Sequence, residues 1–176
     1  MRKSNLPFIP DFYDTYIQKV GDTLDLENAL EQFGSEYFTA DKKILLALGD
    51  QAYAPGKWTV KEVLQHMIDT ERIFAYRALR FARNDQTELP GMDQDLFAAN
   101  TLANKRGVED LLHEFAVVRE STILLFASFD DKMLLREGIC SEKRTTVLAL
   151  GFTIVGHGLH HKHILKERYY PMLESN

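Results

Sequence analysis

The chain has 176 residues, of which 45% are hydrophobic and 27% charged, and its formal net charge is −5. These values are typical of a globular protein with a substantial core, and the acidic balance argues against a nucleic-acid partner, which usually requires a basic surface. The single cysteine, Cys140, excludes an intramolecular disulfide and a cysteine-based zinc site. No apolar run is long enough to cross a bilayer. We therefore predict a single domain over residues 1–176, located in the cytoplasm, with no membrane partner.

The first half of the chain carries mostly helical periodicity. A helical region is predicted over residues 11–48, interrupted near Gly21–Asp25 and near Gly34–Ser35. Residues 51–57 are predicted to form a loop. Thr59 and Glu62 then have the spacing of a capping box, which predicts the start of a long helix that ends near Arg83.

The second half of the chain alternates connections with helices. A turn is predicted at Leu89–Asp93, with a loop beside the functional site as the alternative, and a short helix is predicted within 94–103. A long helix is expected over 108–129, an irregular connection over 130–144, and a final helix over 145–169. No strand pattern is predicted. Four main helices joined by long connections indicate an all-α helical bundle.

The most informative segment is Gly156–His163, which holds four of the six histidines. His157 and His161 are four residues apart, so on a helix they share one face. They also continue the apolar stripe of the final helix. Buried imidazoles need polar partners, because an unpaired buried polar group costs about 1–3 kcal/mol. A shared divalent metal ion would satisfy both rings.

His66 is the best candidate for a third ligand, because its neighbours Val63 and Met67 are apolar. Three histidines would leave a position of the metal free for water or substrate, as in catalytic zinc sites. Asp69 is interpreted as an acceptor behind a metal-bound imidazole or as a base, with pairing to Arg72 or Arg77 as an equal alternative. Hydrogen bonds from core histidines to backbone or hydroxyl groups are the alternative for all three rings. His160 is interpreted as lying beside the site.

Several catalytic motifs are missing. The segment His157–His161 lacks the glutamate of the His-Glu-x-x-His zinc motif. No pair of Glu-x-x-His motifs typical of di-iron bundles is present, and neither is a glycine-rich phosphate loop. The motifs alone therefore leave the reaction class open.

Three segments together, Lys57–Arg72, Leu89–Asp93 and Gly156–Tyr169, resemble the DinB-like (YfiT/DinB) superfamily of metalloenzymes. The resemblance extends from about Tyr53 to the end of the chain. It implies a four-helix bundle with up-down-down-up topology. It also implies a divalent ion, most often zinc or nickel, with three histidine ligands. These correspond here to His66, His157 and His161.

The resemblance also implies a class of reaction. Relatives include transferases and isomerases that use the thiols bacillithiol or mycothiol, and others are described as metal-dependent hydrolases; homodimers are common. We expect a small-molecule substrate and transfer of a low-molecular-weight thiol to an electrophile. Metal-dependent hydrolysis is the alternative. A non-catalytic bundle, in which the metal serves stability, sensing or dimerisation, is an alternative of another class.

Other features receive structural interpretations. Trp58 is expected to pack at the start of its helix, with lining of a substrate cleft as the lesser option. Cys140 is interpreted as incidental. The arginines of one helix face are interpreted as solvated; they are Arg77, Arg80 and Arg83. The glycines of the final helix are expected to allow close approach of a neighbouring helix; they are Gly151, Gly156 and Gly158.

Overall fold

The N-terminal part of the bundle is a series of short helices in the computed structural model, which describes residues 1–173. After a 3₁₀ turn, these helices are α1 (Asp14–Ile17), α2 (Leu26–Gln32), α3 (Ser35–Thr39) and α4 (Lys42–Leu48). The carboxylate of Asp25 accepts a hydrogen bond from the Asn28 backbone and caps α2. Both predicted interruptions are confirmed, and a further break between α3 and α4 was not predicted.

Three long helices complete the bundle: α5 (Val60–Ala82), α7 (Val108–Ala127) and α9 (Val147–Ile164). Between α5 and α7 lies the short helix α6 (Gln94–Ala99), and α8 (Asp131–Leu134) follows α7. The predicted capping box begins α5, with the Glu62 backbone N–H donating to Thr59 Oγ1 at 3.1 Å. Among residues 1–173, no helix is both long and apolar enough to span a membrane.

Helices α5 and α7 run in the same direction. Near the beginning of both, Arg106 donates to Gln65 over 2.8 Å, and further along both, Arg119 pairs with Glu71. Two parallel neighbouring helices require a connection that returns along the bundle, which explains the length of the segment between Ala82 and Val108.

Helix α9 runs opposite to α5. The Tyr169 hydroxyl, after the end of α9, donates to the Trp58 carbonyl just before α5, and His157 contacts His66 further into both helices. From α2 to α3 the chain follows the direction of α9, since Leu26 of α2 lies against Gly151 and the Phe38 ring of α3 packs against Gly158. The predicted up-down-down-up four-helix bundle is confirmed.

A β-hairpin precedes α9, where the sequence predicted an irregular connection. Strand β1 (Glu137–Cys140) pairs antiparallel with β2 (Lys143–Thr146) through a two-residue turn at Ser141 and Glu142. Both turn residues have positive φ, 53° and 60°, as a type I′ turn requires. The prediction of no strands is therefore wrong. The hairpin was missed because the sequence lacks the Asn-Gly signature that usually marks this turn.

The segment after α5 docks on this hairpin. The Leu89 N–H donates to the Ile139 carbonyl at 2.9 Å, and the Ser141 N–H donates to the Leu89 carbonyl at 3.0 Å. The interpretation of Leu89–Asp93 as a simple turn is therefore wrong. The segment is extended at Leu89, and it carries Met92 to a cavity beside His66.

A layer of buried polar side chains separates two apolar clusters of the core. One cluster contains the second half of α5 and the first half of α9, and the other contains the first halves of α5 and α7. Each long helix contributes to the polar layer between them. Its members include His66, Thr70, Glu71, Arg119, Thr122, His157 and Lys162. Because burying such groups is unfavourable without partners, this layer is the first place to look for a functional site.

Gly156 allows α1 to touch α9. A Cβ placed on Gly156 would lie 2.0 Å from the Tyr16 carbonyl oxygen, a backbone atom that cannot move independently of its helix. We expect Gly156→Ala to lower the free energy of unfolding by about 1–3 kcal/mol, measured by urea denaturation. Gly21→Ala is the matched control, because no atom lies within 4 Å of the added carbon. Equal stability of both variants would contradict close packing here.

Candidate metal centre

Three imidazole rings converge within the polar layer. His66 projects from α5, while His157 and His161 project from successive turns of α9. The Nε2 atom of His157 lies 3.1 Å from Nε2 of His66 and 3.1 Å from Nε2 of His161. Ligand atoms from all three rings lie within 4.8 Å of one another. The helical spacing of four residues thus brings His157 and His161 together on one face of α9, as the sequence predicted.

The arrangement fits a tetrahedral divalent ion. Nitrogens at 2.0–2.1 Å from a common tetrahedral centre would be separated by about 3.3 Å, close to the separations from His157 to its neighbours. Among residues 1–173, no cysteine, aspartate, glutamate or further histidine joins the cluster. Three protein nitrogens leave one tetrahedral position for an exogenous ligand, which is the pattern of catalytic sites.

Burial keeps the three rings neutral. It lowers the pKa of His66 to about 4, and it lowers the pKa values of His157 and His161 well below their usual value. The neighbouring histidines act in the same direction, because a second positive charge nearby would repel the first. A neutral imidazole has a nitrogen lone pair, so the three rings are in the state that a metal ion requires.

The depressed pKa values predict acid sensitivity of the metal-free protein. An unfolded histidine gains a proton near pH 6.5, whereas folded His66 does so only near pH 4. The contribution of the neutral rings to the free energy of unfolding is therefore fully present above pH 6.5. It is lost as the pH drops toward 4, by up to about 1.4 kcal/mol per pH unit for each histidine. Urea denaturation of chelator-treated protein at pH 7 and pH 5.5 measures this loss. The loss should be smaller in His66→Ala and unchanged in His113→Ala, whose histidine is exposed.

Aromatic and hydroxyl groups hold the rings in place. Thr70 Oγ1 lies 3.4 Å from His66 Nδ1, and the Trp58 ring packs at 4.8 Å from the His66 ring. The Tyr16 ring contacts both His157 and His160, at 5.4 Å between ring centroids in each case. His160 therefore lies beside the cluster without joining it. Trp58 has a larger role than helix packing, because it touches His66 and lines a surface cavity with His161.

Asp69 lies near the cluster but forms its hydrogen bond elsewhere. Its carboxylate accepts from Gln65 Nε2 at 2.9 Å and lies 3.9 Å from the Arg72 guanidinium. Burial raises the pKa of Asp69, which makes the carboxylate a better proton acceptor. Asp69 and His66 line the same small space beneath α6. Its role as an acceptor behind the imidazole or as a base stays a prediction.

Arg77 corrects the interpretation of a solvated arginine face. Its side chain is only 5% exposed, whereas Arg83 on the same face is exposed. The guanidinium donates to the Pro90 carbonyl at 2.7 Å and contacts the Ser141 hydroxyl at 3.3 Å. Periodicity placed the arginines correctly on one face but could not show that the hairpin and the segment after α5 cover one end of it.

A buried ion pair beside His157 was also missed. Both carboxylate oxygens of Glu71 accept from Arg119, at 2.7 and 2.8 Å, and both side chains are almost completely buried. Arg119 also donates to the Phe33 carbonyl, which ties α2 to the polar layer. The two residues are 48 positions apart, and neither lies in a motif, so only the apolar flanks of Arg119 in α7 offered a signal.

The comparisons with known proteins agree with this fold. Residues 42–165 match the DinB superfamily, and the chain belongs to that superfamily. A similar solved structure is YfiT from Bacillus subtilis, described as a probable metal-dependent hydrolase with an unusual four-helix bundle topology. The superposition has a TM-score of 0.66 at 18% identity, covering 94% of this chain and 91% of YfiT. Among curated proteins, none matches the chain.

Proposed function

We propose that the protein is a metal-dependent enzyme in which His66, His157 and His161 hold one zinc or nickel ion. The convergence of three neutral imidazoles, two of them buried and His161 half-buried, without a fourth protein ligand among residues 1–173 carries this proposal. Core histidines satisfied by hydrogen bonds would be expected to point at backbone or hydroxyl oxygens. Here the Nε2 atoms face one another instead. A neutral ring nitrogen has either one hydrogen or one lone pair, so His157 Nε2 can form a hydrogen bond in only one of its two contacts.

The proposed reaction is transfer of a low-molecular-weight thiol to an electrophilic carbon. A divalent ion on neutral imidazoles lowers the pKa of a thiol or water that approaches it. The thiol loses its proton to solvent water, its sulfur forms the new bond to carbon, and the leaving group departs with the electron pair of the broken bond. A thiol needs little help from a protein base, and no aspartate or glutamate lines the cavity that His66 shares with His157.

Hydrolysis is the second candidate, and Asp69 is the observation that favours it. A water molecule needs a base more than a thiol does, and Asp69 shares the space beside His66 with Glu62. YfiT, described as a probable metal-dependent hydrolase, has the same fold and adds support. In either reaction the protein positions the imidazoles through Thr70 and Trp58 and limits the access of solvent.

Activity assays separate the two reactions. Protein loaded with zinc or nickel is given a thiol with a chromogenic aryl halide, or a nitrophenyl ester without a thiol. We expect thiol-dependent turnover that His157→Ala abolishes and that Asp69→Asn leaves nearly unchanged. Ester hydrolysis that requires Asp69 would favour the hydrolase instead. Turnover that survives in His157→Ala would rule out the proposed metal role.

A non-catalytic role remains the alternative of another class. Metal binding that stabilises the fold without turnover of any thiol or ester substrate would favour it. We further propose a homodimer acting on a small molecule, as the family resemblance implies, and a cytoplasmic location, which the single cysteine favours. Analytical ultracentrifugation of the loaded protein tests the oligomeric state.

A further inference from the structure

Arg77 is a buried cation without an acidic partner. No aspartate or glutamate within residues 1–173 forms an ion pair with it, although the two other buried cations of these residues, Arg119 and Lys162, each have one. Its hydrogen bonds all go to neutral oxygens, namely the Pro90 carbonyl and the hydroxyls of Ser141 and Tyr13. Such contacts offset the cost of burying a charge only in part. A guanidinium has five donors, so some remain for a ligand.

The same guanidinium lines a cavity that reaches the three-histidine cluster. The cavity has a volume of about 100 Å³, and its lining includes Arg77 as well as His66 and His157. Along α5 the lining residues recur with helical spacing, from His66 through Thr70 and Phe74 to Arg77. The Phe74 ring connects the two ends of the cavity, since it lies 5.8 Å from the Arg77 guanidinium carbon and 6.2 Å from the His157 ring.

We propose that Arg77 binds the carboxylate of a small organic acid, which is the substrate or co-substrate of the metal site. The inference rests on the proposed function, because it supplies the substrate class for that site. Arg77 is the only lysine or arginine among the cavity-lining residues. One guanidinium matches a monoanion, and its hydrogen bonds to a carboxylate are charge-assisted and stronger than those to neutral oxygens. A phosphate dianion would call for more positive charge than the cavity supplies.

The cavity also constrains the rest of the acid. Its wall includes the apolar side chains of Phe12, Phe74 and Met92, and Phe74 lies between Arg77 and His157. His66 and Arg77 are three helical turns apart, about 16 Å along the axis of α5, and both side chains point into the same cavity. The substrate should therefore carry its carboxylate at one end, an apolar or aromatic middle, and the reacting carbon at the end that meets the histidines.

Binding of simple probes tests this proposal without any turnover. Benzoate, its neutral isostere benzamide and inorganic phosphate are titrated into full-length protein, as purified and after chelation, by calorimetry. We expect benzoate to bind at least about tenfold more tightly than benzamide or phosphate, as a charge-assisted pair predicts. The Arg77 side-chain N–H resonance should shift with benzoate. Equal binding of benzoate and benzamide, or no benzoate binding at millimolar concentration, would overturn the proposal, and tighter binding of phosphate would replace the carboxylate with a phosphate.

Variants locate the effect. Arg77→Gln should weaken benzoate binding about tenfold or more and leave benzamide binding unchanged. Arg80→Gln, which removes a cation one turn further along α5 that pairs with Asp85, should leave both unchanged. If Arg77→Gln does not fold, the comparison of benzoate with benzamide on the unmodified protein still shows whether the cavity binds a carboxylate. Arg77-dependent benzoate binding in a protein that takes up no zinc or nickel would refute the metal centre and leave the carboxylate site intact.

Discussion

Glu71→Gln should destabilise the bundle by about 3–5 kcal/mol, because it leaves the Arg119 guanidinium buried without its counter-charge. The substitution preserves the size of the side chain, so the effect reports the charge and not a cavity. For a chain of this length, we expect the melting temperature to fall by about 10 °C or more. Urea denaturation and thermal unfolding both measure the change.

The surface of the same molecule supplies a matched control. Arg144 and Glu137 form a similar two-bond pair, at 2.6 and 2.8 Å, but the Arg144 side chain is 65% exposed. Glu137→Gln should cost less than about 1 kcal/mol, since exposed pairs contribute little. A loss in Glu71→Gln no greater than in Glu137→Gln would show that water reaches Arg119 and that the polar layer is not sealed.

Local sequence signals predicted the parts of the site that lie on single helices. The spacing of His157 and His161 determines their common face, and the capping box at Thr59 determines where the helix carrying His66 begins. The meeting of His66 with the other two rings depends on α5 running opposite to α9, which spacing alone does not show. The apolar neighbours of His66 made it the candidate third ligand, and the topology that the family resemblance implied supplied the relative direction of the two helices.

Features made by contacts between distant segments could not be predicted. Arg77 appeared as one of three arginines on a face, and its burial depends on Pro90 and on the turn at Ser141. The hairpin itself was missed because Ser141 and Glu142 have positive φ without the glycine or asparagine that usually marks such a turn. The pair of Glu71 and Arg119 likewise exists only because α5 and α7 are parallel.

Zinc should stabilise the protein, and the stabilisation should depend on each of the three histidines. At a free zinc concentration 100-fold above the dissociation constant, binding to the folded state alone contributes about 2.7 kcal/mol. This corresponds to a rise of roughly 5–10 °C in the melting temperature. The shift produced by zinc is compared within each variant, because removal of a buried ring changes the stability of the metal-free protein as well.

The variants His66→Ala, His157→Ala and His161→Ala should each lose most of this shift, because two nitrogens bind a divalent ion far less tightly than three. His163→Ala should keep it, although His163 lies in the same segment, because its exposed ring contacts Glu167 at 3.1 Å on the outer face of the helix. One equivalent of metal by mass spectrometry should accompany the shift. If His163→Ala loses the shift while His157→Ala retains it, the ion binds at the surface, and the buried histidines serve only the core.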